Sequence, residues 1–252
     1  MKLVMKKNRL LQVITLFFVG LFSLLLLDSL MLGKVHSQMS HNTMVLVGTL
    51  RDFKDTHPDF ERTPGVEGFD YGLDHEITTD TIGENKKPQY KNGSYSTTNK
   101  TNFDQWYRDV VGVNQSTSYS IELKDEDKDG IYTYYNASFF PLDNMTDFDA
   151  QGRSHNYHFT YELHSQFSYH GGETFEFRGD DDVWVYINGK KVVDLGGVHS
   201  EKIQSINLDT IANRINITPG NNYDFDLFFA ERHTTQSNFK IQTNLDFVIY
   251  SD

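Results

Sequence analysis

The 252-residue chain contains no cysteine. Disulfides and thiol chemistry are therefore excluded, and an exported chain of this kind needs a large core or a bound metal for stability. Positive charge is scarce as well: 23 Lys and Arg stand against 35 Asp and Glu, a formal net charge of −12. That balance disfavours nucleic acid and anionic membrane as partners, since both need basic surface, and leaves cations and neutral polar ligands. Catalytic signatures are missing too. There is no His-Glu-x-x-His, no Gly-x-Ser-x-Gly and no phosphate-cradling Gly-Lys-Ser/Thr, so the chain reads as a non-enzyme. An acidic pair could act as a glycosidase only across a cleft of about 5–10 Å. No repeat or heptad is present.

One long apolar run exists, residues 10–27, preceded by Lys2, Lys6, Lys7 and Arg9 and followed by Asp28 and Val35-His36-Ser37. The pattern predicts a signal peptide over residues 1–37 and a secreted, extracellular product. The alternative is a signal anchor, because 18 residues lie at the lower limit for spanning a bilayer. Without residues 1–37 the chain keeps 18 basic and 34 acidic residues, a net charge of −16. Asn-x-Ser/Thr acceptors for N-glycosylation stand at Asn92, Asn99, Asn114, Asn136, Asn144 and Asn216. In a eukaryotic secretory chain they put their loops at the surface; in a bacterial one they carry no such meaning.

What the chain has in abundance is aromatic residues, 14% of the total, and alternation of period two. Tyr157, Phe159, Tyr161 and Leu163 interleave with His158, Thr160 and Glu162, and Tyr223, Phe225, Leu227 and Phe229 alternate with Asp224, Asp226 and Phe228; Phe239, Ile241, Thr243, Leu245, Phe247 and Ile249 form a third run. Half-buried antiparallel strands have this pattern. Asn188-Gly189 between two apolar runs signals a type I′ hairpin, and Pro219-Gly220 another turn. Short helices are expected over residues 58–62 and 103–110, and a long loop over residues 72–101. The fold class is all-β, an antiparallel two-sheet β-sandwich with short helices and long loops, in one domain.

Three consecutive carboxylates, Asp180, Asp181 and Asp182, precede the apolar strand 183–187. An acidic turn capping a strand is the bland reading; a site for a hard cation such as Ca²⁺, which takes six to eight oxygens, is the functional one. A second acidic stretch, Asp125, Asp127, Asp129 and Gly130, has EF-hand spacing. However, Asn136 stands where the bidentate Glu belongs and strand-like residues follow, so it reads as a hairpin turn. For His199 after Gly196-Gly197 a structural hydrogen bond is favoured over ligand contact, and Trp184 and Tyr186 are expected to pack a sheet face.

Several segments, in order, resemble one family. "GTLRDFKDTHPDFER", "FDQWYRDVVGVN", "ASFFPLD", "HNYHFTYEL", "FEFRGDDDVWVYINGKKVVDLGGVH" and "DLFFAER" are similar to the fibro-slime branch of the PA14 (protective-antigen-like) β-sandwich family, over residues 44–250. They look like the N-terminal domain of slime-mould prespore-cell-inducing factors. The resemblance implies a secreted glycoprotein acting in cell-cell signalling or matrix interaction through a cell-surface receptor. Its alternative is a Ca²⁺-dependent, lectin-like adhesin module whose partner is an extracellular glycan. In the adhesin branch two adjacent aspartates joined by a cis peptide bond hold Ca²⁺, which corresponds here to Asp180-Asp181, with Asp182 where many relatives have Gly. On the later loop "FFAERHTTQSNF" Glu231 stands where that branch has a ligating Asn, and the carbonyls of His233 and Thr235 are further candidates. Asp182, His199 and Arg232 are possible ligand-loop residues. Glu231 accepts but cannot donate to a sugar hydroxyl, and its pairing with Arg232 in a structural bridge is the competing reading.

Overall fold

The computed structural model describes residues 42–61, 72–143, 145, 148 and 150–248. The predicted signal peptide or anchor and the Asn144 acceptor lie outside the described residues, and no helix among these is long and apolar enough to cross a membrane.

Eleven strands carry the fold: β1 (Thr43–Phe53), β2 (Asn114–Lys124), β3 (Tyr132–Asn136), β4 (Phe159–Tyr169), β5 (Thr174–Gly179), β6 (Asp182–Ile187), β7 (Lys190–Leu195), β8 (Lys202–Asn207), β9 (Asn221–Glu231), β10 (Phe239–Thr243) and β11 (Asp246–Phe247). All pairings are antiparallel, and the order is β7-β6-β9-β4-β1-β2-β3-β10-β5-β8, with β11 on β4. The path bends where β2 meets β3 through the single pair Lys124↔Thr133. That corner sets β3-β10-β5-β8 face to face with the other layer, as the expected sandwich requires. Across the gap Phe229 of β9 meets Phe177 of β5 at 6.3 Å and Phe239 of β10 at 5.2 Å, ring centre to ring centre, and Phe225 meets Phe175 at 5.3 Å. At the far end β8 reaches back to β7, the Gln204 Oε1 accepting from the Asp194 amide at 2.9 Å.

A second apolar cluster covers the outer face of β6 and β9. Val183, Val185 and Ile187 point into the sandwich core, and the intervening Trp184 and Tyr186 pack with Phe228 under Phe53, Phe60, Ile77, Phe103, Trp106 and Tyr107. Hence every residue of β6 is buried. The described residues between β1 and β2 therefore supply an outer cover on the sheet, and aromatic pairs such as Phe53–Phe60 at 4.5 Å add about 0.5–1.5 kcal/mol each beyond their burial.

The hairpin at Asn188 (φ 49°) and Gly189 (φ 72°) has the two left-handed residues a type I′ turn demands. Both expected helices need correction. Around residue 58 the chain makes bends, because the Phe60 amide bonds the His57 carbonyl and the Asp59 amide the His57 ring; residue 62 lies outside the described set. The second helix is earlier and shorter, Lys100–Phe103, since Asn99 caps it by accepting from the Asn102 amide. One helix escaped the periodicity reading, Leu208–Ile215, capped by Asn207 and closed by Asn216 in the left-handed conformation. Residues 72–101 are largely irregular, as expected, with one short 3₁₀ turn at Glu84–Lys86.

Candidate functional site

The three aspartates lie at the junction of β5 and β6. Gly179 ends β5 because a side chain there would meet the Asn238 carbonyl oxygen and, at 2.8 Å, the Phe177 ring. The cis bond implied by the resemblance is not found: no peptide among the described residues is cis, and Asp181 instead takes a left-handed φ of 54°. Short polar side chains tolerate that region.

The turn sends the three carboxylates to different partners. Asp180 accepts from the Asn238 amide and, at 2.8 Å, from its side-chain nitrogen. Asp181 Oδ2 accepts from the amides of Arg232 at 2.9 Å and His233 at 3.2 Å. Asp182 accepts from the Gly197 amide at 2.7 Å and from Arg232 Nε at 2.5 Å. Arg232 is 1% exposed, lies 4.9 Å over the Trp106 ring and donates to the Ser96 carbonyl at 2.7 Å. Its charge offsets much of the repulsion within the acidic run.

Asp182 and Arg232 form a buried ion pair, because β6 turns Asp182 inward toward the cover. Arg232 is thus paired with Asp182 and not, as in the competing reading, with Glu231. Both Glu231 oxygens are buried without a well-formed hydrogen bond, facing the Ser237 hydroxyl and the Asp181 carboxyl.

Burial pushes the Asp181 carboxyl up to about 7, with Arg232 opposing and Asp182 adding to the rise. Asp180 and Asp182 are raised by burial against their hydrogen bonds. Glu231 is driven well above the usual carboxylate range by burial, then by the charges of Asp181 and Asp180. Arg232 is held above its ordinary value despite burial, by Asp182 and Asp181.

A cleft of about 230 Å³ opens over this floor. Asp180, Asp181, His199, His233 and Thr235 line it, together with Ser200, Thr234 and Gln236, which the sequence reading missed. His199 points its ring nitrogens at the carbonyls of Ser200 (3.0 Å) and Leu195 (3.1 Å), the structural bonding expected. Among the described residues no three His, Asp or Glu side chains are grouped closely enough to hold a metal ion. What the turn does gather is oxygen: Glu231, without a well-formed hydrogen bond, lies within electrostatic reach of two carboxylates whose charge burial disfavours.

Elsewhere, the Asp125 carboxylate accepts from the amides of Asp129 and Gly130, closing the hairpin turn. On β4, unnoticed in the sequence, His164 is held between Asp226 and Glu162 at 2.6 Å each, and Glu162 also takes Arg51 at 2.7 Å and Lys87. Of the glycan acceptors, Asn92, Asn99 and Asn216 are exposed and Asn136 is half-buried. Asn114 is committed, its side-chain amide donating to the carbonyls of Gln105 and Arg108 at 3.0 and 2.8 Å.

Comparison with known proteins matches residues 141–248 to the family model described as PA14 domain. The chain carries a PA14 domain. That match spans β4 to β11, so β1, β2, β3 and the aromatic cover precede it. Similarity to curated proteins of Dictyostelium discoideum extends further: 37% identity to Protein psiQ over 237 residues, 88% of this chain and 23% of that protein, and 36% to Protein psiC over 206 residues, 75% and 38%. Protein psiE is 46% identical over 147 residues, 55% and 29%. The chain thus spans less than two fifths of these relatives. Among solved structures, the PA14 sugar-binding domain from an RTX adhesin aligns at 13% identity and a TM-score of 0.29, covering 38% of this chain and 52% of that one. The PA14 domain of the MpAFP antifreeze protein aligns at 12% and 0.29, covering 45% and 64%. Within this PA14 domain the Asp180–Asp182 turn and the 231–236 loop are neighbours in space, as the resemblance implied.

Proposed function

We propose that the chain is a secreted, non-catalytic recognition module that holds Ca²⁺ between Asp180, Asp181 and Glu231 and serves cell-cell signalling or matrix interaction by engaging a surface glycan. The observation that carries it is Glu231: a carboxylate buried without a well-formed hydrogen bond and within electrostatic reach of Asp181 and Asp180, both of which line an open cleft. A bound Ca²⁺ would supply charge neutralisation and open coordination positions for hydroxyl oxygens. Around it, Ser200, Thr234, Thr235 and Gln236 offer hydroxyl and amide groups to a ligand of monosaccharide size. Glu231 is 1% exposed and is not among the residues that line the cleft, so its inability to donate does not count against a sugar. The second reading is a protein receptor met elsewhere on the surface, with Ca²⁺ purely structural. Identity to the psi proteins over most of the chain favours a shared role with them, and a receptor serves that role equally.

A glycan array with the full chain, in millimolar Ca²⁺ and in chelator, tests the proposal, with native mass spectrometry counting bound metal. Chelator-sensitive glycan binding supports the first reading. Retained Ca²⁺ with no glycan bound favours the second, and absence of any retained ion removes the calcium site.

A further inference from the structure

Glu61 belongs to no strand and lies 80 residues before the PA14 match, yet it touches the wall of the cleft at three points. Its amide donates to the Arg232 carbonyl at 2.9 Å. Its Oε2 accepts from the Thr234 amide at 3.1 Å, and its Oε1 from the Thr234 hydroxyl at 3.4 Å. The carboxylate is braced from behind by His158 Nε2 at 3.1 Å, a side chain 1% exposed, with Arg153 Nε at 4.0 Å. Burial works against its charge, but the His158 and Thr234 bonds hold Glu61 below the ordinary glutamate range.

Residues 232–236 form no regular structure. Their inner attachment is Asp181, which takes the amides of Arg232 and His233. The next amide, that of Thr234, goes outward to Glu61. The wall is therefore hung between two carboxylates on opposite sides, one from the cleft floor and one from the cover. Glu61 holds a φ of 38° to make these contacts, a conformation costing about 1–2 kcal/mol that persists only where contacts over-determine it.

We propose that Glu61 is a positioning residue of the cleft: it fixes where residues 232–236 stand relative to Asp180 and Asp181, and so sets how tightly the site holds a cation. The inference rests on the reading of the cleft as a Ca²⁺ site. It places a determinant of the site in the N-terminal cover, outside the residues that the family match spans. Loss of the Glu61 side chain frees the Thr234 amide and hydroxyl and leaves the wall held by Asp181 and, on the cover side, only by the backbone bond from residue 61 to the Arg232 carbonyl.

The test uses the full chain and Ca²⁺ alone as ligand. Wild type, Glu61→Ala and Glu61→Gln are compared by titration calorimetry with Ca²⁺ and by amide hydrogen exchange without it. Gln keeps an acceptor for Thr234. Glu61→Ala is expected to weaken Ca²⁺ at least tenfold and to speed exchange of the 232–236 amides, with β4 and β9 unchanged, and Glu61→Gln to recover most of both. A Glu61→Ala protein with wild-type affinity and wild-type exchange at 232–236 would overturn the proposal, and so would a Gln variant as impaired as Ala. If wild type binds no Ca²⁺, the calcium reading falls, and the exchange measurement alone decides the positioning role. Should the Ala variant fail to fold, Glu61→Gln set against Glu61→Leu in the exchange experiment makes the same distinction.

Discussion

Replacing Asp182 by alanine tests the claim that the third aspartate is an anchor and not an adjustable loop residue. Asp182 is fully buried and its carboxylate serves both the Gly197 amide and Arg232. Its removal leaves a guanidinium that is 1% exposed without its counter-charge, and breaking a buried pair from one side costs about 3–5 kcal/mol. For a domain of this size each kcal/mol moves the melting temperature by about 2–4 °C, so Asp182→Ala should melt about 6–20 °C below wild type in a calorimetric or circular-dichroism scan. Asp182→Gly, tolerable if position 182 were a loop glycine in disguise, should fall at least as far. Removing both charges in Asp182→Leu/Arg232→Met should win back part of the loss, since the desolvation penalty goes with them. Full recovery is not expected, because Arg232 also serves the Ser96 carbonyl. A single variant melting within about 3 °C of wild type, or a double variant no better than the single, would refute the reasoning.

Glu231→Gln should raise the melting temperature in chelator at pH 8: the folded carboxyl lies above its unfolded value, so apo stability is lost as pH rises past about 4.3. The same variant should lose the calcium stabilisation, RT ln(1 + [Ca]/Kd), about 2.7 kcal/mol at a hundredfold excess; an undiminished calcium shift would argue against the ligand role. His164 is raised above its ordinary value by Asp226 and Glu162, against burial. Its contribution is therefore fully present below about 6.5 and fades as pH climbs through the higher folded value, so the melting gap between wild type and His164→Gln should narrow from pH 5.5 to pH 9, and a constant gap would speak against the pairing. Gly179→Ala drives a methyl against the Asn238 carbonyl and the Phe177 ring, which should cost about 1–3 kcal/mol in denaturant unfolding. Glycopeptide mapping after expression through a eukaryotic secretory route should find sugar on Asn92, Asn99 and Asn216 and none on Asn114, whose amide nitrogen is spent on Gln105 and Arg108.

The sequence exposed what local chemistry determines. Period-two alternation located β4, β9 and β10, and Asn188-Gly189 fixed the β6–β7 turn, because strand faces and left-handed residues are written in consecutive positions. Helix Leu208–Ile215 stayed hidden: eight residues give barely two turns of pattern, and its caps are ordinary asparagines. The site divided along the same line. The proximity of Asp180 and Asp181 to Glu231 came only through resemblance, since β5, β6 and β9 must be assembled first. The burial of the Asp182–Arg232 pair was not legible because the groups that enclose it, Trp106 and Ser96, come from more than 70 residues away. Glu61 carried no local signal at all.

The strand order also bears on how the chain is made. β1 is made before the other described strands and ends between β2 and β4, with Gly48 opposite Leu163. Until β4 has been synthesised one edge of β1 has no partner, and the opposing layer waits for β10, close to the last described residue. Contacts this distant in sequence make folding slow and postpone closure of the sandwich until β10 has been synthesised. A fragment cut to residues 141–248 would leave the edge of β4 that β1 occupies bare, with its hydrogen-bonding groups open to any passing strand. The smallest piece able to fold alone therefore starts at or before Thr43, about a hundred residues upstream of where family resemblance would place the cut.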